Sequence, residues 1–220
     1  MFFARCVFDF CGCWYNQDML SSKKRTSYPA WQSVVILVYA TIALVLDYYH
    51  RFPPAQSGVL YLLAPLVMLI VFRRPLKDYG VRAGQWRKGL LLTLGGWILM
   101  TPVLWFTARG PDFTAYYAHL WASGGFWGTL GWVISDLISW EFFFRGFLIF
   151  SLADIIGPWA ILFQAIMFTF GHLSKPELET LSCIVGGSAF GWVAWETDSF
   201  FYPFLIHVFV SFFTIWLTTL

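Results

Sequence analysis

Charge is what this sequence has least of. Only 12% of its 220 residues are Asp, Glu, Lys or Arg, against roughly 25% in an average soluble domain. The net charge is +2 and no basic run of the nucleic-acid-binding kind occurs, so nucleic acid is not an expected partner. Cysteine is scarce as well, and a disulfide framework is excluded. Cys6, Cys11 and Cys13 sit together near the start, and Cys183 lies inside an apolar block. The C-x4-C-x-C spacing lacks the second half of a zinc pattern. These cysteines read as small apolar side chains, with palmitoylation or metal binding as the alternatives. A secretory leader is not expected either. The opening MFFARCVFDFCGCWYNQDML is interrupted by Asp9 and a Cys-Gly pair, and runs into Ser21-Ser22-Lys23-Lys24-Arg25. Residues 1–30 are read as a cytoplasmic or interfacial tail.

What is abundant is apolar. Hydrophobic residues make up 59% of the chain, with 13 Trp and 24 Phe. They fall in blocks at 31–49, 57–72, 89–107, 126–152, 158–172, 181–195 and 199–220. Most approach the ~20 residues needed to cross a bilayer. The blocks are continuous, not alternating, which argues against a membrane β-barrel. The expected fold is all-α: a polytopic membrane helix bundle of about seven transmembrane helices, forming one domain over 31–220. The shorter blocks leave room for six to eight spans.

Lys and Arg set the expected orientation. The tail carries Arg5, Lys23, Lys24 and Arg25, and the loop after the second block carries Arg73, Arg74, Lys77, Arg82, Arg87 and Lys88. The first-to-second loop has only Arg51, and the third-to-fourth loop only Arg109. Basic residues concentrate on the cytoplasmic side. The N-terminus and the second loop are therefore expected in the cytoplasm and, with seven spans, the C-terminus outside. The expected location is a bacterial plasma (inner) membrane. The basic, amphipathic stretch 75–89 reads as an anchor for anionic headgroups. Gly187 and Gly191 form a small-x-x-x-small pair that lets the sixth helix pack closely on a neighbour.

Against this background the polar residues inside the blocks stand out. An ionised group at mid-bilayer costs on the order of 2.5–3.5 kcal/mol on insertion scales, and such residues face cavities or partners. Glu141 and Arg145 are one turn apart on one helix face, the acid first. Phe168 and His172 share that spacing, as do His207 and Ser211. Together these residues suit one polar pocket. A carboxylate there could take a proton from water and hand it to a leaving amine. One imidazole would hold the water, and the other, with a neighbouring donor, would stabilise an oxyanion. Arg145 would orient Glu141 or hold the helix in place. The bland alternative for Glu141 and Arg145 is a structural ion pair. Asp136 lies about 140° off the Glu141 face and is expected to pair with another span or flank the pocket. Ser174-Lys-Pro-Glu177 reads as a capping box opening the sixth helix, and Glu179 has no assigned role.

In these residues the sequence resembles the CAAX protease and bacteriocin-processing (CPBP) family of intramembrane glutamic endopeptidases, which includes the type II CAAX prenyl endopeptidases. That family carries Glu-Glu-x-x-x-Arg, Phe-x-x-x-His and His-x-x-x-Asn, in that order. Glu141-Phe-Phe-Phe-Arg145-Gly146 resembles the first, Phe168 and His172 match the second, and His207 matches the start of the third. The resemblance covers roughly 126–220, so the candidate active site lies there. It implies an intramembrane protease that hydrolyses membrane-associated proteins or peptides without metal or other cofactor. Glu141, Arg145, His172, His207 and Ser211 would be the catalytic set, with Trp140 and Phe168 as pocket or support. The expected partners are the lipid bilayer and a membrane-anchored protein or peptide substrate.

Two positions depart from the pattern. The leading glutamate, commonly given the general-base role, is Trp140 here, and the final asparagine is Ser211. Either Glu141 serves as base in a variant site, or the site is degenerate and the protein is a membrane scaffold that binds partners in the same cavity. A zinc peptidase using Glu141, His172 and His207 is a further alternative, although HExxH is absent. A transporter ranks last, because no internal repeat is visible.

Overall fold

The structure is a computed structural model and describes residues 28–220. The tail with Cys6, Cys11 and Cys13 lies outside the described residues. The helices, in order, are α1 (Ala30–His50), α2 (Pro54–Gly58), a π-helical segment (Val59–Leu63), α3 (Ala64–Val71), a 3-10 turn (Leu76–Tyr79), α4 (Trp86–Thr107), α5 (Pro111–Glu141), a second π segment (Phe142–Leu148), α6 (Ile149–Ile156), α7 (Trp159–Phe170), α8 (Glu177–Thr197) and α9 (Phe201–Leu217). Among the described residues there is no strand. Prolines open several of these helices: Pro54 and Pro111 stand in the first turn of α2 and α5, where the missing N–H costs nothing.

Over the described residues the chain crosses between the two ends of the bundle seven times. One end, the basic end, gathers the start of α1, the turns between α3 and α4, the end of α6, the end of α8 and the start of α9. Polar contacts tie it together. Tyr28 donates to Asp78 (3.1 Å), Arg74 to Gln32 (2.7 Å) and to the Tyr79 hydroxyl, and Tyr202 to the Ala83 carbonyl (2.6 Å). Gln85 N donates to the Thr197 carbonyl (2.8 Å). Arg74 is buried, 3.8 Å from Asp154, and burial pushes the Tyr79 phenol up to about 12. The other end gathers the close of α1, the start of α2, the first half of α5, the 171–176 turn and the close of α9. There Tyr61 donates to Asp47 (2.9 Å) and Tyr117 to Glu179 (2.7 Å). At 1.5 Å per residue, the 21 residues of α1 separate the two ends by about 30 Å.

The apolar blocks coincide with these crossings: 31–49 and 89–107 with α1 and α4, 126–152 with the second half of α5 through the start of α6. α1 and α4 are long and apolar enough to cross a membrane, while Gln56–Val71, α7 and α9 are apolar but shorter. Large apolar side chains face outward over much of the bundle, among them Leu91, Ile98, Leu99 and Phe106 on α4 and Ile70 and Val71 on α3. An apolar surface of this extent marks contact with lipid or protein.

Two local expectations are corrected. The third-to-fourth connection is not a loop: 111–124 is helical, the first half of α5. The break comes at Gly125, whose φ of 56° and ψ of −161° interrupt the helix. That conformation is open to glycine and little else. The capping box is also not formed. α8 starts at Glu177 behind Pro176, with no side-chain cap. Instead, Lys175 pairs with Glu179 across one turn (3.0 Å) and Thr180 donates to the His172 carbonyl (2.6 Å). The small-residue pair behaves as expected: a Cβ on Gly187 would meet Ala165 and Phe168 at 3.2 Å, and one on Gly191 would meet Gln164 at 2.7 Å.

Candidate active site

Glu141 is the last residue of α5 and Arg145 lies in the π segment that follows. All seven residues of that segment, FFFRGFL, are buried. Bulky aromatics on successive positions leave no face for solvent, and the widened turn packs rings all round; such π segments recur at functional sites. A Cβ on Gly146 would meet the Tyr79 carbonyl at 2.7 Å, so this position must be glycine for the basic-end turn to lie against the helix. His172 sits in the turn after α7, and His207 at mid-α9.

The packing brings three of the expected residues into contact. Glu141 and Arg145 are fully buried and His207 nearly so. Nδ1 of His207 is 2.7 Å from Oε1 of Glu141, and Nη1 of Arg145 is 3.3 Å from the same oxygen. A carboxylate accepts only, so His207 donates through Nδ1, and when neutral the ring presents Nε2 as an acceptor. The same reasoning applies to His172, whose Nδ1 is 2.9 Å from the Phe168 carbonyl. Phe168 is the hub between them. Its ring lies 4.2 Å from that of His172, 5.8 Å from that of His207, and 4.0 Å from the Arg145 guanidinium carbon. Phe190, which the motifs did not point to, closes the other side, 5.4 Å from both Arg145 and His207. Among the described residues, Oε2 of Glu141 and the guanidinium nitrogens of Arg145 are buried without a hydrogen-bond partner. Buried polar atoms are paired in the great majority of cases, so this concentration singles the cluster out.

Of the expected residues, Trp140 and Ser211 face away from that cluster. A cavity of about 290 Å³ opens at the end away from the basic turns, and its wall includes Trp140, Ser211, Asp136, Asp47, Lys175 and Tyr117. Glu141, His172 and His207 do not line it. Adjacent helix residues point about 100° apart; Trp140 therefore looks into the cavity while Glu141 looks toward Arg145 and His207. The Trp140 ring rests against His172 (5.6 Å) and Tyr61 (5.0 Å), between the cavity and the imidazole. Ser211, one turn from His207, belongs to the cavity side. Asp136 lies one turn before Trp140 and flanks the pocket. Tyr116, Tyr117 and His119 also stand in the wall; no motif points to them, because 111–124 lacks a clear apolar block. Among the described residues no three His, Cys, Asp or Glu side chains are grouped to hold a metal ion.

Residues 121–213 match the family model described as Type II CAAX prenyl endopeptidase Rce1-like. This match supports the CAAX protease resemblance of the three motifs, all of whose matching residues fall inside it. The matched stretch starts in α5 just before the Gly125 break and ends two residues beyond Ser211. The Rce1-like family is one of membrane-embedded proteases, which supports a peptidase and, with α1 and α4, an integral membrane protein. No curated protein and no solved structure matches the chain.

Proposed function

We propose that this protein is a polytopic intramembrane peptidase that hydrolyses a peptide bond in a membrane-associated protein or peptide. The observation that carries the reading is the 2.7 Å contact between Glu141 and His207. It joins the first and third motifs across 66 residues, with the second motif packed against both through Phe168. Oε1 of Glu141 is engaged by His207 and Arg145; Oε2 is the oxygen left to take a proton from water. Water loses that proton to Glu141 as its oxygen bonds to the scissile carbonyl carbon. The C–N bond then breaks, and Glu141 returns the proton to the departing amine. His172 and His207 each carry one N–H, on Nδ1, and present Nε2 to hold the water or, when protonated, to stabilise the oxyanion. Arg145 keeps Glu141 in place as a positioning residue. Ser211, Asp136 and Lys175 would meet substrate in the cavity.

The test is hydrolysis of a peptide panel by purified protein in detergent. Activity in the native protein, lost in Glu141→Gln and His172→Ala with the helical content retained, is the expected result. A folded native protein inert toward the panel, while partner binding depends on Trp140, would replace this reading with the scaffold.

A further inference from the structure

We infer that Asp136 selects the substrate: the cavity takes a polypeptide segment carrying a Lys or Arg side chain, held by the Asp136 carboxylate beside an aromatic wall. As a specificity residue Asp136 rests on the peptidase reading; as a binding site for a cationic peptide it rests on the cavity alone. Asp136 is half-buried and lines the cavity. Among the described residues its carboxylate has no hydrogen-bond or ion-pair partner. An ionised group within a membrane bundle is kept where it faces a cavity or a partner.

The other charges in the wall are engaged or lie at its mouth. Asp47 accepts from Tyr61 (2.9 Å). Lys175 stands 3.0 Å from Glu179, so its charge is matched. Arg51 is exposed at the mouth. The charged groups whose fields reach Asp136 are Lys175 and Asp47; with the first matched by Glu179, the second leaves the local field negative. Ser211 faces the same hollow from α9, with a hydroxyl that has no partner among the described residues and can accept from a further N–H. Trp132, Trp140, Tyr116 and Tyr117 supply aromatic rings to the wall. Such rings attract a cation and cover the apolar stem that carries it. An open carboxylate among them fits a cation on an apolar stem, which in a polypeptide is Lys or Arg. Asp136 precedes Trp140 by one turn, about 5–6 Å along the helix, and two residues of extended peptide span about 7 Å. The recognised side chain therefore lies within about two to three residues of the bond that is cut.

The test uses the full chain in detergent and C-amidated decapeptides with an N-terminal BODIPY label. One position is fixed as Lys, Leu or Glu, and the rest are a mixture of uncharged residues. Binding is read by fluorescence anisotropy, and cuts are mapped by mass spectrometry. The native protein is expected to bind the Lys set about tenfold more tightly than the Leu set, and the Glu set more weakly than either. Asp136→Asn should bring the Lys-to-Leu ratio to about one. Asp136→Glu should keep the preference, and Asp136→Lys should move it to the Glu set. One readout needs no variant to fold: on the native protein, n-butylammonium should displace the Lys peptides, and n-butanol at the same concentration should not. Equal binding of the Lys and Leu sets, no binding at all, or a preference that survives Asp136→Asn overturns the inference. Cleavage without a cation preference would sink the Asp136 assignment and leave the peptidase reading; a cation preference without cleavage would do the opposite.

Discussion

His207 holds Glu141 by a single hydrogen bond, Nδ1 to Oε1 at 2.7 Å, inside a cluster from which solvent is shut out. If the two act as one unit, their deletions will not add. Glu141→Gln and His207→Ala should each lower kcat/KM by roughly 10²–10⁴-fold, the range of a positioned acid–base group, and the double variant should lose little more. Steady-state kinetics on any cleaved peptide checks this. Losses that multiply would show two independent roles.

Arg145 should matter first for stability. Removing one partner from a buried ion pair costs about 3–5 kcal/mol, because the remaining charge is stranded. Arg145→Met is expected to lower the unfolding temperature in detergent substantially. Glu141→Gln combined with Arg145→Met should recover much of that loss. A single variant as stable as the native protein would mean that the pair holds nothing together.

Trp140 separates the cavity from His172. Trp140→Ala should cost about 3 kcal/mol, the lower end for a large aromatic, since the ring is only partly buried. It should also make His172 react faster with diethyl pyrocarbonate, followed by peptide mass spectrometry. Trp140→Phe should leave the rate near that of the native protein. No change in His172 reactivity on truncation would place the access route elsewhere.

Two glycines three residues apart should respond with opposite sign. Neither Gly125 nor Gly128 has an atom within 4 Å of where a Cβ would stand. Gly125 has a φ of 56° and Gly128 is helical. Gly125→Ala should therefore destabilise by about 1–3 kcal/mol through backbone strain, and Gly128→Ala should stabilise by about 0.5–1 kcal/mol. Thermal unfolding of the two variants side by side decides it.

Much of the fold was legible because each crossing coincides with an apolar block of the sequence. The helical half of α5 before Gly125 was not, because Tyr116, Tyr117 and His119 face the cavity and interrupt the apolar run. The capping motif at Ser174 failed because Pro176 and the Lys175–Glu179 pair start α8 differently. At the site, motif spacing pointed to Glu141, Arg145, His172 and His207 but could not say which side of each helix meets water. Trp140 and Glu141 are neighbours in sequence and look in different directions. Ser211 follows His207 by one turn, yet it faces the cavity. Phe190 has no motif and came into view only through the packing of α8.

The absent side chain at Gly146 has a reach beyond its own position. Because it lets the Tyr79 carbonyl settle against the helix, the turn between α3 and α4 touches the backbone immediately beside the buried guanidinium. Any side chain at this position would push that turn away from the helix one residue from Arg145, so the packing of the basic end and the burial of the guanidinium are set by the same missing Cβ.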